Sequence, residues 1–357
     1  MGISMKKIIL TGGGTAGHCT PNIALMPSLK AHGFEIAYIG SYEGIEKRLT
    51  EATGYPYYGI SSGKLRRYFD VKNFSDPFRV IKGYRESKKI LKDFQPDIVF
   101  SKGGFVSVPV VIAASHMGIP VICHESDMTP GLANKLAFPS AQKICCTFEE
   151  TKKYLPAEKA VFTGAPIRAE LLTGNREKAL AYTGFLPNKP VLLVIGGSLG
   201  ASSVNEAIRK ILPSIIGKIQ VIHICGKNKV DPTLNHLSGY IQYEYVDKEL
   251  KDLFALSDIV VSRAGSNAIC ELLALKKPNL LIPLPAASSR GDQILNANSF
   301  ERKGYSKVLE EENMTDVSLL LAIRELYENR ADYQRAMEKA AEGNAIDTIV
   351  SLIQQFT

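Results

Sequence analysis

Between Ser257 and Ala297 the chain carries side chains suited to a nucleotide diphosphate. Ile259-Val260-Val261 is an apolar run of strand type, and Arg263-Ala264-Gly265-Ser266-Asn267 follows it directly. Gly265 permits a tight turn, and Ser266 or Asn267 can cap a helix. Ile269, Leu272 and Leu273 then recur at helical spacing and mark a buried face. Glu271 lies roughly 200° round that helix from Ile269, so it projects away from the face. It fits a capping box poorly, because neither Ser266 nor Asn267 stands three residues before it. First-turn N–H groups with Arg263 would meet phosphates, and Glu271 would meet a ribose diol. A capped helix with a solvated glutamate satisfies the same pattern, so the rest of the chain has to decide.

The chain of 357 residues is long enough for two domains, and 45% hydrophobic with 22% charged residues supplies an ordinary globular core. No long apolar run follows Met1–Lys7, so no secretory leader is expected, and no stretch is apolar enough to span a bilayer. The six cysteines form no C-x-x-C pair and mostly sit in strand-like runs, which suits buried thiols in a reducing cytoplasm. The six histidines are scattered and no Asp-x-Asp occurs, so neither a metal site nor a cofactor is expected. The net charge of +7 is concentrated: residues 64–92 hold ten Lys/Arg against three Asp/Glu.

Elements that could position these groups follow a repeated order. Lys6–Thr11 reads as a strand, Gly12–His18 as a glycine loop, Pro21–Leu29 as a helix and Glu35–Gly40 as a second strand. The glycines match G-x-G-x-x-G, yet the second strand ends without the acid that a dinucleotide ribose needs, the nearest being Glu43. The pattern therefore argues against NAD. Asp97–Phe100 is a strand before a second glycine turn, Lys102–Ser107, and a helix from Val108 to Ala114. Pro120–Cys123 delivers His124-Glu125-Ser126-Asp127 to a strand's carboxyl end, where open α/β sheets bind ligands. Near Thr163–Arg168 the chain crosses to a second domain that repeats the opening: strand Pro190–Ile195, glycine loop Gly196–Ala201, helix Asn205–Leu212. Further strands are expected at Val221–Gly226 and Ile241–Val246. The glycine loops start about 184 residues apart, roughly one domain length. The expected fold class is α/β, two Rossmann-like doubly wound domains with an interdomain cleft, spanning 1–163 and 164–340, with a final helix in 341–357 packing back on the first.

From Gly63 to Phe94, Tyr68, Phe69, Phe74, Phe78 and Ile81 are interleaved with Arg66, Arg67, Lys72, Arg79, Lys82 and Lys88. Cations beside aromatics suit an anionic membrane surface rather than nucleic acid. A solvated basic helix with its apolar residues in the core is the plain alternative.

Taken together, Gly13-Gly14-Thr15-Ala16-Gly17-His18, Gly103-Gly104-Phe105-Val106-Ser107, His124-Glu125, Gly131–Lys135, Gly196-Gly197-Ser198, Arg263-Ala264-Gly265 with Glu271, and Gln293 with Asn296-Ala297 closely resemble the MurG family. These are the N-acetylglucosaminyltransferases of bacterial cell-wall synthesis. The resemblance implies a GT-B fold, UDP-N-acetylglucosamine (UDP-GlcNAc) as donor, lipid I as acceptor, and lipid II and UDP as products. It places the protein peripherally on the cytoplasmic side of the membrane, in contact with other cell-wall synthesis proteins. It implies Ser198 and the 264–268 loop, with Ser266, at the diphosphate, and Glu271 at the ribose. Arg168 and the backbone near Val246 would lie around the nucleotide, and Gln293 at the sugar hydroxyls. Thr15, Ala16, Gly17 and His18 would face the acceptor. Ala16 replaces a common glycine, Ser126-Asp127 replaces a common Gln-Asn, and Asp292 replaces a second glutamine found in some members.

Displacing UDP from the anomeric carbon by a sugar hydroxyl passes through an oxocarbenium-like state and loads charge onto the diphosphate. Without a metal, helix N–H groups, Ser198 and Arg263 would meet that charge. His18 is the first candidate for general base, since its ordinary pKa suits pH 7, with Asp127 and His124 behind it. A purely positioning His18 is the alternative. A UDP-sugar diacylglycerol glycosyltransferase, a UDP-GlcNAc 2-epimerase or a non-catalytic UDP-sugar-binding subunit would share parts of this pattern.

Overall fold

Short Val/Ile/Leu runs bounded by glycine turns become parallel strands here, and the amphipathic stretches between them become helices. The structure is a computed structural model that describes residues 5–63, 76–197, 200–288, 290–340 and 344–357. Ser198, and Arg66, Arg67, Phe69, Lys72 and Phe74 of the basic segment, lie outside the described residues, as does Gly343.

The chain forms two compact units, the first reaching Arg168 and reclaiming the final helix, the second starting at Ala169. In the first, β1 (Lys6–Thr11), β2 (Phe34–Ser41), β3 (Tyr57–Ile60), β4 (Ile98–Ser101), β5 (Val121–Glu125), β6 (Lys143–Cys146) and β7 (Ala160–Phe162) make one parallel sheet ordered β3-β2-β1-β4-β5-β6-β7. Its helices are α1 (Thr20–Ala31), α2 (Ile45–Glu51), α3 (Asp76–Phe94), α4 (Ser107–His116) and α5 (Leu132–Ala137). In the second, α6 (Arg176–Thr183) precedes β8 (Val191–Ile195), α7 (Ser202–Ile215), β9 (Gln220–Ile224), β10 (Tyr240–Tyr243), α8 (Leu250–Leu256), β11 (Ile259–Ser262), α9 (Ser266–Ala274) and β12 (Asn279–Leu281). Next come α10 (Asp292–Arg302), β13 (Ser306–Val308), α11 (Asp316–Glu328) and α12 (Arg330–Glu338), with sheet order β10-β9-β8-β11-β12-β13. The last helix, α13 (Ala345–Gln354), belongs to the first unit.

Alternation along β1 explains the layering. Ile9 joins Leu91, Phe94, Val110, Val111 and Phe138 of the α3–α5 side. Ile8 and Leu10 face the other way, onto Leu25 and Leu29 of α1 and Ile349 and Ile353 of α13. In the second unit Leu192, Val194 and Val261 pack under Ile208, Ile211 and Leu212 of α7 and Leu319 and Ile323 of α11. Five of the six cysteines are buried and no disulfide joins any of them, consistent with their reading as small apolar groups. Strand β10 stops at Tyr243, shorter than the expected 241–246, so Val246 sits in the loop beyond it.

Each strand order reverses between two neighbours, β1 and β4 in one sheet and β8 and β11 in the other. Such reversals leave a crevice beyond the strands' carboxyl ends, because the connections on either side depart in opposite directions. All the glycine loops singled out above lie at these two points.

Candidate functional site

At the first reversal Thr11 and Ser101 are in register, and the loops beyond them lean on one another. Gly13 N–H donates to Gly103 O at 3.2 Å, and Lys102 N–H donates to Thr11 O at 2.9 Å. Gly104 has φ +88, in the left-handed region, and a Cβ there would overlap the Gly13 carbonyl. Only glycine meets both demands. The chain then winds into one turn of 3-10 helix, Ala16–His18, before α1. That turn gathers Thr15, Ala16, Gly17 and His18, and the Thr15 hydroxyl sits 3.0 Å from His18 Nδ1. The bond orients the imidazole of the half-buried His18.

The His124 cluster differs from its expected role. Strand β5 carries His124 and Glu125 inside it, and both are buried. The buried Lys102 ammonium donates to His124 Nδ1 and to Ser126 Oγ, each at 2.6 Å. An ammonium has no lone pair, so Nδ1 must accept, and the ring proton lies on Nε2. That nitrogen donates to Gly164 O at 3.0 Å. Burial, then the neighbouring Lys102 charge, hold the imidazole well below its usual pKa. His124 is therefore a neutral structural link, not a base, and Ser126 is spent on the same lysine. Glu125 accepts from Asp127 N–H at 2.9 Å, Gly131 N–H at 3.1 Å and Asn134 Nδ2 at 2.8 Å, which fixes the loop that presents the half-buried Asp127. Burial raises the Glu125 pKa.

His223 in the second unit has a parallel environment. Asn205 donates its amide to Cys225 O, so its carbonyl takes the His223 Nε2–H at 2.9 Å, while Tyr240 O–H donates to Nδ1 at 2.9 Å. Burial, then Arg209, lower its pKa to about 3. Both histidines stay neutral when folded but take up a proton near pH 6.5 when unfolded. The unfolded state then binds more protons, so stability falls as pH drops below 6.5, by ~1.4 kcal/mol per pH unit for each group. Denaturant melts from pH 7.5 to 5 should show this slope, and His223→Gln, which keeps one donor and one acceptor, should flatten its share. An unchanged slope in that variant would mean His223 titrates normally.

At the second reversal Ile195 and Ser262 are in register. Gly200 has φ +69 and abuts the Cys225 carbonyl, leaving no room for a side chain. The cap of α9 is Gly265, with no side-chain cap, which corrects the expectation for Ser266 and Asn267. These two stand inside the first turn instead, so the helix's N-terminal dipole opens beyond β11 without a built-in acceptor at its cap. Ile269 and Leu272 are buried as expected, whereas Leu273 and Glu271 are half-buried.

Arg263 is held by several protein partners. Its Nη1 donates to Ile282 O at 3.1 Å and Pro283 O at 3.3 Å, and its Nη2 donates to Ser203 Oγ at 3.1 Å. It also pairs with Glu311, and only 11% of its side chain is exposed. These bonds tie the β11 and β12 loops to α7, so Arg263 braces the crevice. Gln293 Oε1 accepts from Leu284 N–H at 3.0 Å, and the buried Asn296 donates to Ala264 O at 3.1 Å. Thus α10 is tied to both the α9 loop and the β12 loop, which brings Ser266, Glu271 and Gln293 onto neighbouring elements. Val246 is buried in its own loop, and Arg168 stands where the chain leaves the first unit. Glu46, which received no role from the sequence, proves to be buried against the first glycine loop.

The exposed face of α3 carries Phe78, Val80 and Ile81 beside Arg79, Lys82, Arg85, Lys88 and Lys89. Among the described residues, no helix is long and apolar enough to cross a membrane.

Comparison with known proteins gives a consistent answer. Residues 8–146 match the glycosyltransferase family 28 N-terminal domain and residues 191–353 match its C-terminal domain. A UDP-N-acetylglucosamine–N-acetylmuramyl-(pentapeptide) pyrophosphoryl-undecaprenol N-acetylglucosamine transferase of Lachnoclostridium phytofermentans is 62% identical over 351 residues, covering 98% of this chain and 99% of its own. The transferase of the same name from Lachnospira eligens is 63% identical over 350 residues, with the same coverage. The crystal structure of Acinetobacter baumannii MurG superposes with a TM-score of 0.76 at 24% identity, covering 98% of this chain and 99% of that one. That last likeness concerns the fold, which is GT-B with two Rossmann-like domains.

Proposed function

Because the chain belongs to glycosyltransferase family 28, we propose that it moves N-acetylglucosamine from UDP-GlcNAc to the muramoyl sugar of lipid I, forming lipid II and UDP. The observation that carries this reading is the near full-length likeness, at 62 and 63% identity, to transferases of that name. Neither a diacylglycerol acceptor nor a non-catalytic role draws support from those relatives.

The second unit's crevice supports the donor half. As UDP leaves, negative charge grows on the diphosphate, and preorganised N–H dipoles stabilise that growth without reorganising. The N-terminus of α9, whose cap residue Gly265 contributes no side chain, is such a group, at the β8–β11 reversal. Glu271 accepts from the ribose hydroxyls, and Gln293 reads the sugar through its amide nitrogen, its oxygen being held by Leu284. The first unit supplies the acceptor half. His18, oriented by Thr15, takes the proton of the attacking hydroxyl, and Asp127 lines the same unit's loops.

A lipid-linked acceptor requires a visit to the bilayer, and α3 suits its cytoplasmic face. Its cations meet anionic headgroups while Phe78 and Ile81 enter the interface. One assay tests both statements: radiolabel transfer from UDP-GlcNAc to lipid I in anionic and in neutral vesicles. Transfer should be faster on anionic vesicles, and that advantage should vanish as salt rises from about 0.1 M to about 1 M, where charges are screened within ~3 Å. Donor hydrolysis without transfer overturns the reaction. Equal rates on both surfaces overturn the role of α3.

A further inference from the structure

Glu46 lies in the first turn of α2 and is fully buried. Among the described residues its carboxylate is paired with no cation. It accepts from Gly14 N–H at 3.2 Å, from Ser41 N–H at 3.1 Å and from the Ser41 hydroxyl at 2.5 Å. Room for it is made by three glycines. A Cβ at Gly13 would lie 2.5 Å from the Glu46 Cδ, one at Gly40 2.7 Å from its Cγ, and one at Gly44 would overlap its Oε1. Gly13, Gly40 and Gly44 thus come from the ends of β1 and β2 and from the cap of α2, and all surround one side chain.

The location carries the meaning. In a phosphate-binding glycine loop, backbone N–H groups after the first strand point at an anion. Here Gly14 N–H points at the protein's own carboxylate, and Gly13 N–H is bonded to Gly103 O. The anion position of the first loop is filled from within. This explains in structural terms why the loop's G-x-G-x-x-G pattern needs no nucleotide. It also leaves the next residues, Thr15 to His18, as the part of the loop turned to other work.

We propose that Glu46 is a positioning residue for the transfer reaction: by holding Gly14 and the end of β2 it fixes the turn that carries Thr15 and His18. The inference rests on the reading that this turn serves the acceptor. Two bonds bracket the loop immediately before the turn, Gly13 to Gly103 and Gly14 to Glu46. Losing the second frees the segment that sets the Thr15–His18 geometry, and small displacements of a base are costly in rate.

Glu46→Gln tests it, since the amide has nearly the same volume but turns a donor toward one of the backbone N–H groups. Transfer rate, acceptor KM and UDP affinity would be measured beside the native chain. The expected result is a fall in kcat of tenfold or more, with UDP affinity within twofold because donor contacts lie in the other unit. A kcat within twofold of native overturns the proposal, as does a parallel loss of UDP affinity, which would mark general unfolding. Ser41→Ala covers the case in which the glutamine variant fails to fold. It removes only the 2.5 Å hydroxyl bond and should lower kcat severalfold with UDP affinity kept. An unchanged kcat there also overturns the proposal. If the native chain itself fails to transfer, the functional reading falls and takes this inference with it. Native transfer with an undiminished Glu46→Gln removes the inference alone.

Discussion

Replacing His18 by alanine is expected to lower kcat by about 10²–10⁴-fold while leaving UDP affinity unchanged. The side chain sits half-buried on the turn after the first glycine loop, and the Thr15 hydroxyl at 3.0 Å fixes its ring. Removing His124 from consideration leaves Asp127 as its rival. His124 has both ring nitrogens committed, to Lys102 and to Gly164, and burial depresses its basicity. The pH–rate profile separates a base from a positioning group. A base leaves an acid limb in the native profile, and His18→Ala removes it. His18→Asn, which can still hydrogen-bond Thr15 but cannot take a proton at neutral pH, should be as slow as alanine. Near-native activity in the asparagine variant would reduce His18 to a positioning role and return Asp127 to first place.

Glu271→Ala is the second large effect, and it falls on binding. A hydrogen bond to a charged group is worth roughly 1.5–3 kcal/mol, so donor affinity should drop by about 10–150-fold. Folding should be nearly unaffected, because Glu271 is half-buried on the side of α9 away from Ile269 and Leu272. Calorimetry with UDP checks the affinity, and a denaturant melt checks the stability. Retained affinity would remove the ribose role and leave Glu271 as an ordinary helix residue. The solvated-glutamate reading of this stretch would then be correct.

How much of this was readable beforehand follows from the range of the interactions. Strand alternation, glycine turns and helix periodicity are local, and they marked β1, β2, β4 and β5 of the first sheet and β8 to β11 of the second from residues within a few positions of one another. Contacts between distant loops left no such mark. Arg263 beside a glycine turn looks like a phosphate ligand until Ile282, Pro283, Ser203 and Glu311 claim it, and those partners are 19 to 60 residues away. His124 looked like a ligand-facing residue because polar groups at a strand end usually are, and only the lysine 22 residues earlier reveals otherwise. Glu46 was invisible because its tie to the glycine loop, through Gly14, spans 32 residues, although Ser41 holds it from nearby. The one retrievable signal was a carboxylate flanked by Gly40 and Gly44 where small side chains imply that something large is being accommodated. The missing side-chain cap on α9 was a different kind of miss. Ser266 and Asn267 are good capping types, but Gly265 starts the helix one residue earlier.

The return of α13 to the first unit sets a clock on biosynthesis. Ile349, Val350 and Ile353 are buried on Leu25 and Leu29, yet they are translated only after the whole second unit. At roughly 5–20 residues per second, about 10–35 s separates Arg168 from Ala345 on the ribosome. For that interval the α1 side of the first sheet shows water an apolar surface that no other helix will cover. The second unit, made without interruption, can finish its own core first. Newly made chains should therefore pass through a state with a completed second unit and an unfinished first unit, open to chaperones and to aggregation at one known face.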